Sequence, residues 1–142
     1  MKKLPASQLR TERITLLAVD PDKEDCQSLL TIPGAGEWRI LGASSLREAT
    51  TLMHESVPDL ILCAKDLPDG SWKDVFREAE RQPRRLPVVV VSRNPDERLW
   101  AEVLNLGAYD MLIKPFDSSE VYRMIISTCH GDKSAKAASA AF

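Results

Sequence analysis

The chain of 142 residues is 44% hydrophobic and 28% charged, the balance of one globular domain with a genuine core and too little length for two. Its net charge of -2 offers no basic stripe for nucleic acid, and no apolar run approaches the length that crosses a bilayer. The start Met1-Lys2-Lys3-Leu4-Pro5 lacks a signal-peptide apolar region, so a cytoplasmic protein is expected, with neither nucleic acid nor membrane as partner.

Residues 1–12 are polar and aperiodic and read as a flexible arm, followed by one domain over 13–130 and a flexible tail over 131–142. Arg13–Val19 is a β-rich run that stops at Asp20-Pro21-Asp22. A helix follows from Asp22, with Asp22 and Asp25 at capping spacing and Cys26, Leu29 and Leu30 on one face; Pro33–Gly36 stops it. Trp38–Ala43 is a second strand. Ser45 with Glu48 opens a helix whose stripe is Leu46, Ala49 and Met53.

The third strand, Asp59–Ala64, turns abruptly into the loop residues Asp66-Leu67-Pro68-Asp69-Gly70. Ser71 with Asp74 opens the next helix, which carries Val75 and Ala79 inward. Pro87–Val91 is the most β-prone run, ending at Ser92. Asn94-Pro95-Asp96-Glu97 reads as a helix start with Asn94 as cap; Leu99, Val103 and Leu106 form its core stripe and Gly107 its end. Tyr109–Ile113 is the fifth strand, and Asp117 with Glu120 caps a final helix closed by Gly131. Cys26, Cys63 and Cys129 have no partner at ligand spacing and read as reduced packing residues, not a zinc site.

Strand and helix alternate five times with short connections. That pattern specifies an α/β fold, a doubly wound parallel sheet of five strands with helices on both faces. Asp20, Ser92 and Lys114 each follow or end a strand, so parallel strands bring an acid, a hydroxyl and an ammonium to one sheet edge. Open α/β sheets place their sites there.

Three stretches, Pro58–Leu62, Leu67–Gly70 and Gly107-Ala108-Tyr109-Asp110-Met111-Leu112-Ile113-Lys114-Pro115-Phe116, give the chain a likeness to one family. From Arg13 to Cys129 it resembles the receiver domain of two-component response regulators. The resemblance implies the CheY-like, flavodoxin-like strand order 2-1-3-4-5 and a cis Lys114-Pro115 bond. It matches Asp20 to the first acid of a magnesium-binding pair, with Pro21 in place of the second. It puts Ala64 at the phosphoacceptor position, Ser92 at the switch hydroxyl, Arg93 where a small residue is usual, Lys114 at the phosphate-binding lysine and Met111 at the switch aromatic.

Ala64 has no nucleophile and Pro21 no carboxylate, so aspartyl phosphorylation fails at this position and at most a weak magnesium site survives on Asp20. The expectation is a stand-alone pseudo-receiver that is no enzyme, holds no cofactor, and acts by contact with a protein such as a histidine kinase or an output protein. Lys114 then needs an anion, and Asp20 is the acid expected within reach. Two alternatives are weighed beside this: a regulator phosphorylated on a displaced acid such as Asp66, and a small flavodoxin-like nucleotide-binding enzyme. The second lacks a P-loop, a GxGxxG turn and a catalytic triad. Beyond the core stripes, Trp100 with Leu104 and Tyr122 with Ile126 form extra apolar pairs at helical spacing. They are expected to join on the face of the fourth helix, fifth strand and final helix, as a dimer or partner surface with Trp100 partly exposed.

Overall fold

The computed structural model describes residues 14–29 and 38–129. The expected arm at 1–12, the stop at 33–36 and the tail from 131 lie outside the described residues, as do Arg13 and Leu30. In chain order the elements are β1 (Ile14–Val19), α1 (Lys23–Ser28), β2 (Trp38–Ala43), α2 (Leu46–Ser56), β3 (Leu60–Ala64), α3 (Trp72–Glu80), β4 (Val88–Ser92), α4 (Glu97–Leu106), β5 (Asp110–Ile113) and α5 (Ser118–Cys129). All strand pairs of the main sheet are parallel, in the order β2-β1-β3-β4-β5. β3 lies at the centre and is buried along its whole length.

Alternation of side chains along each strand divides the core in two. Leu17, Ile61, Cys63, Val88, Val90 and Met111 face α2, α3 and α4, whose contributions include Met53, Val75 and Val103. Leu16, Leu60, Leu62, Val89 and Leu112 face the other way, onto Leu29 and onto Val121, Met124 and Ile125 of α5. Burial on both faces explains why the strands read as continuous apolar runs rather than alternating ones.

Helix starts follow side-chain chemistry. Ser71 and Asp74 complete a reciprocal capping box on α3, and Ser45 accepts the Glu48 N–H at 3.1 Å on α2. The start of α4 differs from the sequence expectation. Asp96, not Asn94, is the cap: it is extended and its carboxylate accepts the Leu99 N–H at 2.8 Å, while the Asn94 N–H donates to Ser92 Oγ at 3.3 Å. An ionised cap aimed at the positive end of the helix outcompetes the amide two residues earlier. Leu106 is also corrected. It is exposed in the last turn, and Ala108, delivered inward by the left-handed turn at Gly107 (φ 97), is buried in its stead. A last addition is a two-residue antiparallel ladder, Asp66–Leu67 with Gly70–Ser71, in the stretch read as loop.

Candidate functional site

Register decides which side chains meet at the carboxyl edge. Val19 lies opposite Cys63, so Asp20 stands level with Ala64; Ser92 lies opposite Ile113, which brings Lys114 to the same rim. Backbone bonds extend both ladders one step into the site: the Asp20 N–H donates to Ala43 O at 2.8 Å and the Lys114 N–H to Ser92 O at 2.9 Å. The Lys114-Pro115 peptide is cis.

Lys114 Nζ lies 2.6 Å from Asp20 Oδ2, with the two side chains only 8% and 9% exposed. The other carboxylate oxygen, Oδ1, accepts the Asp22 N–H at 2.9 Å. Both oxygens are therefore engaged, and the ammonium has its counter-ion. This pair runs from β1 to β5 across the end of β3, where Ala64 offers a methyl group packed in the core. A second, looser bridge takes the same direction. Arg93, just after β4, places its guanidinium 3.9 Å from Asp22 Oδ2, both side chains about half exposed. At that separation and exposure it contributes little to stability.

A divalent cation needs several oxygen ligands at once. Pro21 and Ala64 supply none, the Asp20 oxygens are taken by an ammonium and an N–H, and among the described residues no three His, Cys, Asp or Glu side chains gather as a metal site. This donor set does not fit magnesium. Asp66 points away: its side chain is 79% exposed, 3.8 Å from Lys65 Nζ. Burial first, and then the Asp20 charge, push the Cys63 thiol above its ordinary range, so it stays protonated. Met111 is buried in the core, and Ser92 Oγ serves the backbone of its own loop.

Two carboxylates that fix the ends of β3, one of them beside the site, escaped sequence reasoning. Asp69 reaches back 22 and 23 positions to accept the N–H groups of Arg47 (3.1 Å) and Leu46 (2.7 Å), pinning the loop after β3 to the start of α2. Gly70 allows this fold-back, since a Cβ there would lie 2.7 Å from Asp74 Oδ2. Asp59 holds the other end of β3 through the Thr15 N–H at 2.9 Å and Arg84 at 3.2 Å. Only the Asp-Gly pair carried a hint of this, as a turn signal.

The expected apolar surface is not one surface. Trp100 (38% exposed) and Leu104 lie on α4, while the Tyr122 ring stacks on Trp38 of β2, 5.9 Å between centroids, and Ile126 packs half-buried against the α5 core. The α4 and α5 core residues lie on opposite faces of the sheet, and β2 is the edge strand farthest from β5. Tyr122 therefore turns away from β5. The exposed apolar residue on β5 itself is Ile113.

The sequence profile of the response regulator receiver domain matches residues 16–126. The chain belongs to that family. Among curated relatives of this receiver domain are the two-component response regulator-like APRR1 of Arabidopsis thaliana, 27% identical over 79% of this chain and 19% of its own, and the transcriptional regulatory protein ZraR of Escherichia coli K12, 28% identical over 75% of this chain and 24% of its own. The chain thus spans about a quarter or less of these relatives. Among solved structures, the receiver domain of sensor histidine kinase PA1611 from Pseudomonas aeruginosa superposes with a TM-score of 0.73 at 21% identity. The match covers 83% of this chain and 98% of that one, which holds a magnesium ion in its active site cleft. At that identity the likeness speaks for the fold.

Proposed function

We propose that this receiver domain is a pseudo-receiver: a signalling module that works by protein contact without accepting a phosphoryl group. The observation that carries the reading is Ala64, level with Asp20 at the end of β3, on the same sheet edge as the buried Asp20–Lys114 pair. A phosphoryl acceptor needs a nucleophilic oxygen at that point, and a methyl group has none. The lysine that receivers direct at a phosphoryl group is held here by Asp20, which gives the pocket a fixed, neutral closure. Asp66, as the displaced acceptor, faces solvent beside Lys65.

In this reading the chain is no enzyme, holds no magnesium and resides in the cytoplasm, with the domain proper over 13–130. Its partner is a protein of a two-component pathway, a histidine kinase or an output protein. The surface best suited to it is the outer side of α4 with the β5 edge: Trp100, Leu104 and Ile113, apolar and exposed. A second copy of the chain on the same surface would give a homodimer.

The test is incubation with acetyl phosphate and magnesium, followed by intact-mass spectrometry and sedimentation. The expected outcome is an unchanged mass and an unchanged association state. A magnesium-dependent phosphoryl adduct mapped to Asp66 sinks the proposal.

A further inference from the structure

A cavity of about 420 Å³ opens at the amino-terminal edge of the sheet, the opposite end from Ala64, between the last turn of α3, the loop before β4 and the turn after α4. We propose that it binds a small zwitterion with an apolar body, the class of which a free aliphatic or aromatic amino acid is the simplest member. The volume falls within the range of small-molecule sites. The floor is apolar: Phe76, Ala79, Leu86 and Val88. Two unlike charges, Glu80 and Arg85, line the same cavity, and both residues are exposed.

The two arginines of the lining are not equivalent. Arg84 is engaged, donating to Pro58 O at 3.0 Å and to Asp59 Oδ1 at 3.2 Å. Arg85 rests over the Tyr109 ring, 5.7 Å from its centroid, a cation–π contact that does not use up its N–H donors, the groups a carboxylate would take. Glu80 sets a like charge against a dianion such as phosphate and offers an acceptor to an ammonium. One carboxylate, one ammonium and one apolar side chain satisfy the arginine, the glutamate and the floor together.

The experiment is a titration of the full chain, labelled with nitrogen-15, with L-leucine and L-phenylalanine. The single-charge analogues 3-phenylpropionate and phenethylamine, and inorganic phosphate, serve as comparisons. The amides of Leu86, Gly107 and Tyr109 are expected to shift saturably with the amino acids. Affinity should fall by about tenfold for each single-charge analogue, and by about tenfold in Arg85→Ala or Glu80→Gln, as loss of one charge-assisted contact requires. Both variants alter exposed side chains, so an unchanged amide pattern elsewhere verifies their fold. The proposal is overturned by the absence of saturable shifts at millimolar amino acid, by undiminished binding to Arg85→Ala, or by phosphate shifting the same amides as strongly.

Discussion

At the carboxyl edge of the sheet Lys114 and Asp20 meet at 2.6 Å with side chains 8% and 9% exposed, whereas at the amino edge Arg84 reaches Asp59 at 3.2 Å from a side chain 43% exposed. Each pair ties together strands distant in sequence, yet the medium around them differs. Water screens the Arg84 charge, and Asp59, 16% exposed, still accepts the Thr15 N–H if the arginine is lost. Around Lys114 and Asp20 there is little water for screening, and each charge depends on the other. The carboxyl edge carries the buried pair, and an open cavity lies at the opposite edge.

The largest expected effect breaks the buried pair. Lys114→Ala strands the Asp20 carboxylate and should lower stability by about 3 kcal/mol or more, read from the urea midpoint at constant slope. Arg84→Ala should lower it by about 1 kcal/mol or less, since an exposed pair and one bond to Pro58 O are lost. Replacing both buried partners, Lys114→Met with Asp20→Leu, should recover most of the loss, because no unpaired charge remains. Equal losses in Lys114→Ala and Arg84→Ala would erase the distinction between the two edges.

A smaller effect of opposite sign belongs to the amino edge. Val57, capping α2 just before Pro58, is left-handed at φ 46 and 48% exposed. A non-glycine residue pays about 1–2 kcal/mol there, more when β-branched. Val57→Gly removes that strain but adds unfolded-state entropy worth roughly 0.4–1 kcal/mol. The net expectation is a gain of about 0.5 kcal/mol, seen as a modest rise in thermal midpoint. A loss of stability would show that the Val57 side chain, though exposed, contributes packing that outweighs its strain.

The fold was legible because its signals are local and mutually consistent. The short, β-branched run Val88–Val91 reads as a buried strand, and Ser45, Ser71 and Asp117 sit where caps belong. The meeting of Asp20 with Lys114 was legible too, since parallel strands align their ends. What stayed hidden depends on side-chain direction in three dimensions. Spacing puts Tyr122 on a second stripe of α5, but only the Trp38 ring beyond it decides that the stripe faces β2 rather than β5. In the sequence Asn94 reads as the cap of α4, yet it is the Asp96 carboxylate that accepts the Leu99 N–H, a choice made by side-chain direction. Asp69 crosses to a helix more than twenty residues earlier, a contact that no local pattern encodes.

Asp69 also yields the smallest predicted effect, one that adds pH dependence to the carboxyl edge. The Leu46 N–H above all holds its carboxyl below the ordinary carboxylate range, outweighing the opposing effect of desolvation with help from the Arg47 N–H. A carboxyl whose folded pKa is depressed contributes stability that is complete above its unfolded pKa, at about 4, and is lost as pH falls through the folded value. Asp69→Asn keeps an acceptor for Leu46 but removes the charge that favours the start of α2. The variant should therefore be slightly less stable than the parent by a constant margin from pH 7 to about pH 5, and that margin should close on further acidification as the parent's carboxyl protonates. Glu48 and Asp117, also held low, keep their share of the acid loss in both proteins, so the two stability curves converge without becoming flat. Urea titrations at stepped pH measure the margin directly. One that stays constant to pH 3 would mean that Asp69 holds α2 as a neutral acceptor, and that the pinning of the loop beside Ala64 owes nothing to its charge.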